Sequence, residues 1–318
     1  ESVNDANNGL VPRLSTADLD QDGDPDLLAG KAGHASVYYE NQIGQSGVTP
    51  GPDGFSPQQD VMTGVVPRHV IGTDLDGDGD PDLVSANNGQ FFGNPSLTWA
   101  ENTGGDGTSG DISFGTTITI DDSNVLNTFI VASDLDGDGD PDLVAAENDG
   151  RIAYYENQIE ESGADSDGFS SKQVIKPKPG QTLNATSVSV ADLDGDGDPD
   201  VAATFVEGET VAYYENTGHD GTSGAMTFGP EVIVDQDNGD TGPGGTHSVV
   251  AADVDNDGDP DLVAANRTDD QVNYYGNVGA DGTPGSMNFT DAPISLGDSN
   301  PVWVDVGDLD GDGDRDVL

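Results

Sequence analysis

The chain contains no cysteine, so neither disulfides nor thiolate metal sites can hold it together. It is also poor in positive charge, with 9 basic residues against 61 acidic ones and a formal net charge of −52. Nucleic acid and anionic membrane surfaces are bound through Lys and Arg, so both are excluded as direct partners. No apolar run approaches the roughly 18 residues of a membrane-crossing helix. Nor does any segment sustain a 3.6-residue apolar period, so helices are not expected. Low hydrophobicity with high net charge is the composition of disorder. Regular spacing along the chain argues against that reading. Excess surface carboxylate suits a salty environment, which makes a halophilic source the expectation.

What the chain does have is a repeat. "DLDGDGDPDLV" begins at Asp74 and again at Asp134, and "DLDGDGDPDVA" begins at Asp192. Variants start at Asp18, Asp253 and Asp308. Other features keep step with these loops. An aromatic stretch follows each of the first five: "VYYEN" at Val37, "LTWAEN" at Leu97, "AYYEN" at Ala153 and Ala212, and "NYYGN" at Asn273. A Gly/Asp-rich turn comes next, then a Phe (Phe55, Phe114, Phe169, Phe228, Phe289) and a short alternating apolar stretch.

Each unit therefore reads as four short strands. Strand A is β-branched and leads into the acidic loop, as in "HVIGTD" and "SVSVAD". Strand B is "DLVAA", strand C holds the aromatics, and strand D follows the Phe. Four antiparallel strands repeated at this period predict an all-β fold, a β-propeller built of four-stranded blades. Paired alanines in strand B (Ala145 and Ala146, Ala202 and Ala203, Ala264 and Ala265) would let neighbouring sheets approach closely. A linear array of sandwiches is the alternative, but about 58 residues with few large apolar side chains is marginal for a private core. Residues 1–318 read as a single domain, with units starting near 10, 66, 127, 185, 246 and 301. That is five full blades and half of a sixth ending at Leu318. An open propeller exposes strand edges, so the expectation is a longer protein, or a last blade completed by other residues.

All six loops carry Asp at positions 1, 3, 5, 7 and 9 and Gly at position 6. The residues are Asp18, Asp20, Asp22, Asp24 and Asp26 in the first loop and Asp74, Asp76, Asp78, Asp80 and Asp82 in the second. The third has Asp134, Asp136, Asp138, Asp140 and Asp142. The fourth has Asp192, Asp194, Asp196, Asp198 and Asp200. The fifth has Asp253, Asp255, Asp257, Asp259 and Asp261. The sixth has Asp308, Asp310, Asp312, Asp314 and Asp316. Alternating carboxylates on a tightly turning backbone converge on one point, and the backbone carbonyl of position 7 can join them. An all-oxygen set without His or Cys selects Ca2+, with Mg2+ second. The expectation is about six Ca2+, one per loop. An EF-hand would close with Glu at position 12, where this chain has Ala29, Ser85, Ala145, Ala203 and Ala264. The loop is read instead as a β-hairpin site between strands A and B.

A D-x-D-x-D-G-x-x-D loop between two strands, repeated about every 60 residues, resembles the FG-GAP/VCBS repeat family, to which integrin α-subunit propellers belong. "FGT" at Phe114 and "FGP" at Phe228 resemble the Phe-Gly of that name. The resemblance covers nearly the whole chain. It implies a calcium-stabilised propeller of seven blades when complete, with metal held by side chains at positions 1, 3, 5 and 9 and the carbonyl at 7. It further implies an extracellular or cell-surface location and a partner on the face opposite the calcium loops.

The functional expectation is an adhesion, structural or protein-interaction module with a protein or glycan partner, or self-assembly. A carbohydrate-binding lectin, or an accessory domain of a polysaccharide-active enzyme, is the alternative. Two features are candidate contacts: the adjacent Phe91 and Phe92, otherwise a hydrophobic plug, and the lysines Lys172, Lys176 and Lys178 of "KQVIKPKPG", otherwise a solvated run. Catalysis is not expected. His34, His69, His219 and His247 occupy different repeat positions, and no G-x-S-x-G occurs.

Overall fold

The computed structural model describes residues 13–31, 35–43, 51, 53–90, 93–104, 112–159, 167–175, 184–206, 208–219, 225–236, 245–278, 289–295 and 300–318. His34, Phe91, Phe92, Lys176 and Lys178 lie outside them. Among the described residues every regular element is a strand. The strands form five four-stranded antiparallel sheets in chain order. The first sheet comprises β1 (Leu14–Ala17), β2 (Asp26–Lys31), β3 (Ala35–Tyr39) and β4 (Gln59–Thr63). The second has β5 (Pro67–Thr73), β6 (Asp82–Asn87), β7 (Leu97–Ala100) and β8 (Ile118–Asp121). The third has β9 (Asn127–Ser133), β10 (Asp142–Glu147), β11 (Ile152–Tyr155) and β12 (Gln173–Ile175).

The fourth sheet has β13 (Ala185–Ala191), β14 (Asp200–Phe205) and β15 (Thr210–Tyr214). A small hairpin of β16 (Asn216–His219) and β17 (Met226–Phe228) follows, and β18 (Val232–Asp235) completes the sheet. The fifth has β19 (Thr246–Ala252), β20 (Asp261–Asn266), β21 (Gln271–Asn277) and β22 (Phe289–Ser295). A short pair, β23 (Val306–Gly307) and β24 (Asp316–Val317), brackets the sixth loop. These are the four-stranded blades expected, and the fold is an all-β propeller type.

By its contacts the chain divides into two compact units within the third sheet. One comprises Glu1–Ala132, Asp140–Ala145 and Tyr155–Lys172. The other comprises Ser133–Gly139, Ala146–Tyr154 and Gln173–Leu318.

Strand B explains the packing. In the second to fifth sheets it is buried along its whole length. A strand covered on both faces reads as a continuous small-to-apolar run and not as an alternation, which accounts for "DLVAA". Cores form between successive blades. In the first unit, Leu19, Leu28, Met62, Val70, Leu83 and Ala100 pack together across the first two sheets. In the second, Leu193, Ala202, Tyr213, Val249, Leu262 and Tyr275 do the same for the fourth and fifth. The repeating Phe closes these seams. Phe114 meets Tyr38 of the preceding blade with ring centroids 5.8 Å apart, and Phe289 meets Tyr213 at 5.9 Å, both tilted.

Strand A adds close approach. A Cβ built on Gly72 would lie 2.5 Å from Ala17 Cβ. The result is a set of A–B hairpins whose tips are the acidic loops.

Candidate metal centres

Each acidic loop is folded by its own aspartates. Position 6 has φ between 95° and 104° in all six copies (Gly23, Gly79, Gly139, Gly197, Gly258, Gly313), a region open in practice only to glycine. Position 4 is left-handed as well: Gly77, Gly137, Gly195 and Gly311 in four loops, Gln21 (φ 57°) and Asn256 (φ 60°) in the others.

The two left-handed residues turn backbone N–H groups inward. The position-1 carboxylate accepts two of them, as from Gly77 (2.9 Å) and Gly79 (3.0 Å) onto Asp74. Gly137 and Gly139 donate to Asp134 in the same way, and Gly311 and Gly313 to Asp308. The position-3 carboxylate accepts the N–H of position 5, as Asp196 onto Asp194 at 3.1 Å. The position-5 carboxylate accepts the N–H of position 7, as Asp198 onto Asp196 at 2.9 Å. Backbone bonds thus orient the carboxylates toward one another against their mutual repulsion.

Three carboxylate oxygens lie within 4.8 Å of one another in each of four loops. These are Asp18, Asp20 and Asp22; Asp74, Asp76 and Asp78; Asp192, Asp194 and Asp200; and Asp253, Asp255 and Asp261. The third loop, Asp134 to Asp142, straddles the division between the two units, and the sixth repeats the internal bonds of the others.

Position 9 has a second job. In the first loop, Asp26 Oδ2 accepts the N–H of Leu19 (3.0 Å) and Oδ1 that of Asn41 (2.7 Å). Asp82, Asp200 and Asp261 hold Leu75, Leu193 and Val254 at 2.9 Å in the same manner. This residue ties the loop to the exit of strand C. Burial pushes its carboxyl up to about 7 in Asp26, Asp82 and Asp200, over the opposing effect of the two N–H donors. Nearby aspartates push the same way, Asp76 and Asp78 on Asp82 and Asp194 and Asp196 on Asp200. Desolvated carboxylates beside further carboxylates are a donor set that a divalent, oxygen-seeking cation would relieve, so these residues fit Ca2+.

The position-7 carboxylates fall outside these four groups. Asp80 accepts Gln21 Nε2 from the preceding loop, and Asp314 accepts Asn256 Nδ2 at 3.1 Å. The ligand expected from position 7 is its backbone carbonyl, not this carboxylate.

Sequence reasoning missed the asparagine that ends each aromatic stretch. Its backbone N–H donates to position 9, and its side chain donates to the carbonyl of position 8, as Asn41 to Pro25 at 3.2 Å. From the second blade onward it also donates to the carbonyl of position 2 in the preceding loop. The bonds are Asn102 to Leu19 (2.9 Å) and Asn157 to Leu75 (2.8 Å) in the first unit, and Asn216 to Leu135 and Asn277 to Leu193 (both 2.8 Å) in the second. The signal was present: an Asn at the end of "YYEN", "WAEN" and "YYGN", two residues after the second aromatic position.

Of the other residues singled out in the sequence, Lys172 and His69 have partners within the fold. Lys172 is a half-buried partner of Asp121 (3.0 Å), which also accepts Tyr155 Oη (2.9 Å). Burial pushes Asp121 up, but hydrogen bonds from Ser123 and Lys172 and the lysine charge outweigh it and hold the carboxyl below its ordinary value. His69 is buried, stacked on Phe129 at 4.1 Å, and its Nδ1 hydrogen-bonds with the Ile130 carbonyl at 3.0 Å.

Comparison with known proteins agrees with this architecture. An Agrocybe aegerita lectin, described as recognising non-reducing terminal N-acetylglucosamine, matches over 97% of this chain and 74% of its own at 19% identity and a TM-score of 0.57. The periplasmic gluconolactonase PpgL of Pseudomonas aeruginosa matches over 88% and 69% at 12% identity and a TM-score of 0.51. BBS1N, from a complex with ARL6DN, matches over 90% and 68% at 10% identity and a TM-score of 0.50. At such identities these likenesses show the fold alone. Among curated proteins, none matches the sequence. The FG-GAP-like repeat matches residues 74–145, 134–203 and 253–318, so the chain belongs to the FG-GAP-like repeat family.

Proposed function

We propose that this propeller is a calcium-stabilised binding module that works outside the cell, holding a protein or glycan partner in an adhesive or structural role and carrying out no catalysis. One observation carries the calcium part: four loops each bring three carboxylate oxygens within 4.8 Å of one another on a backbone prefolded to hold them. Each loop would hold its cation through the aspartates of positions 1, 3, 5 and 9. The bound cation would supply positive charge to a hairpin tip that otherwise repels itself, and it stabilises the fold by binding only the folded state. Extracellular modules bind Ca2+ with Kd of about 10⁻⁴ to 10⁻³ M.

At free Ca2+ a hundredfold above Kd, one site contributes about 2.7 kcal/mol. In a chain of 318 residues that corresponds to roughly 4 °C in Tm for each site. A chelator is therefore expected to lower the melting temperature sharply, and readdition of Ca2+ to restore it. An unchanged melt, together with no bound metal by elemental analysis, overturns the calcium reading.

A second reading, a lectin, draws on the first blade. A cavity of about 460 Å³ there is lined by Tyr39 and Phe55 together with Asp53 and Gln58. Aromatic faces beside a carboxylate and an amide suit a sugar ring. Binding on a glycan array that is lost in Tyr39→Ala, with the melting temperature retained, favours this reading. Binding to a protein partner or self-association, with no glycan retained, favours the first.

A further inference from the structure

The bonds made by the strand-C asparagines and the position-9 aspartates join end to end. In the first unit the path runs from Asp26 to Leu19 N–H, from Leu19 C=O to the Asn102 side chain, and from Asn102 N–H to Asp82. It continues from Asp82 to Leu75 N–H, from Leu75 C=O to Asn157, and from Asn157 N–H to Asp142. In the second unit it runs from Leu135 C=O through Asn216 to Asp200, then through Leu193 and Asn277 to Asp261 and the Val254 N–H. Every member bond is between 2.7 and 3.0 Å, and the four asparagines are buried.

Position 2 is the sensitive point of this path. It sits between positions 1 and 3, both members of the carboxylate groups. Its N–H is held by its own loop and its carbonyl by the next blade. A change in how one loop closes therefore changes the seat of the next asparagine, and that asparagine's N–H bears on the next position 9. Adjacent loops also touch at the rim, through Gln21 to the Gly79 carbonyl at 2.7 Å and Asn256 to Asp314.

We propose that Asn102, Asn157, Asn216 and Asn277 are positioning residues that couple cation binding in successive loops, so that filling one loop raises the affinity of its neighbour. The proposal rests on the calcium reading above. Coupling between sites is a free energy and is reciprocal, so the effect runs both ways along each path. A coupling carried by one buried hydrogen bond corresponds to about two- to tenfold in affinity.

Calorimetric titration of the full chain with Ca2+ tests it. Asp194→Asn removes a ligand of the fourth loop and Asp255→Asn one of the fifth. With coupling, Asp194→Asn weakens the fifth-loop cation about two- to tenfold, and Asp255→Asn weakens the fourth-loop cation by the same factor. In an Asn277→Ala background this mutual dependence vanishes while the number of binding loops is retained. Asn277→Asp, which keeps the shape but removes the Nδ2 donor, gives the same result where the alanine variant fails to fold.

An asparagine that only supports the fold would lower the melting temperature and leave the dependence between loops intact. Survival of the dependence in both variants, or its absence from the parent chain while Ca2+ binds, overturns the coupling and leaves the calcium reading standing. No Ca2+ bound by the parent chain overturns both.

Discussion

At the residue scale, two backbone positions decide whether an acidic loop closes. The glycine at position 6 sits at φ values where L side chains are strained whatever the space around them. Gly139 isolates that effect: its φ is 104°, and nothing lies within 4 Å of a Cβ built there. Gly139→Ala should cost about 1–3 kcal/mol from backbone strain alone, read as a shift in the urea midpoint at unchanged slope. An unshifted midpoint would show that the loop adjusts freely. This glycine was legible in the sequence because its six copies coincide with the turn they permit. The strand-C asparagines were not, because their defining partners are 81 to 84 residues away in sequence. Periodicity reveals that such a residue recurs, but not what it touches.

His69 gives a second prediction at this scale. Burial lowers its pKa from 6.5 to about 3, and the nearby Arg13 charge adds to the effect. Arg13 lies over the Phe129 ring, 4.6 Å from its centroid, with His69 stacked on the same ring. The folded state therefore binds fewer protons here than the unfolded chain. That contribution to stability is fully present above pH 6.5 and is lost as pH falls from 6.5 toward 3. His69→Gln should flatten the fall in Tm over this window compared with the parent chain, both measured in chelator so that metal release does not mask the difference. Parallel curves would place the acid sensitivity elsewhere.

At the scale of the element, strand types were legible but their seams were not. "DLVAA" announces a strand buried on both faces, and the order of A, B, C and D strands follows from composition and turn residues. What sequence cannot give is the distance between neighbouring sheets. Gly72 in β5 shows why that distance matters, since an added methyl would meet Ala17 Cβ at 2.5 Å, closer than such atoms ever stand. Gly72→Ala should lose about 1–3 kcal/mol by overpacking the seam between the first two blades. Gly307→Ala is the control, because a Cβ in β23 meets nothing within 4 Å. Equal melting temperatures for the two variants would mean that the seam can open without cost. The blades also differ in ways the repeat conceals. In the fifth, strand D begins at Phe289 itself, whereas in the second Phe114 makes only an isolated bridge with Asn102 before β8 starts four residues later.

At the scale of the whole molecule, the governing quantity is a net charge of −52. Self-repulsion of that size opposes any compact state, and thirty of the acidic groups are crowded into six hairpin tips. Two agents can relieve it: cations bound in the loops, and the diffuse ion atmosphere. They act over different ranges, since screening reaches about 10 Å at 0.1 M salt and about 3 Å at 1 M. Carboxylate oxygens within one loop stand within 4.8 Å of one another, well inside the screening length at 0.1 M, so moderate salt screens them poorly, while repulsion between loops and across the surface is screened well. The two effects therefore separate. In chelator, the melting temperature should climb steadily as NaCl is raised from about 0.05 to 1 M and still fall short of its value with Ca2+ at low salt. With Ca2+ present the climb should be shallower, because part of the repulsion has already been removed at the loops. A melting temperature indifferent to salt in chelator would show that surface repulsion is not what limits the metal-free fold. Full recovery by NaCl alone would show that the loops need screening only, and not an ion seated among their carboxylates.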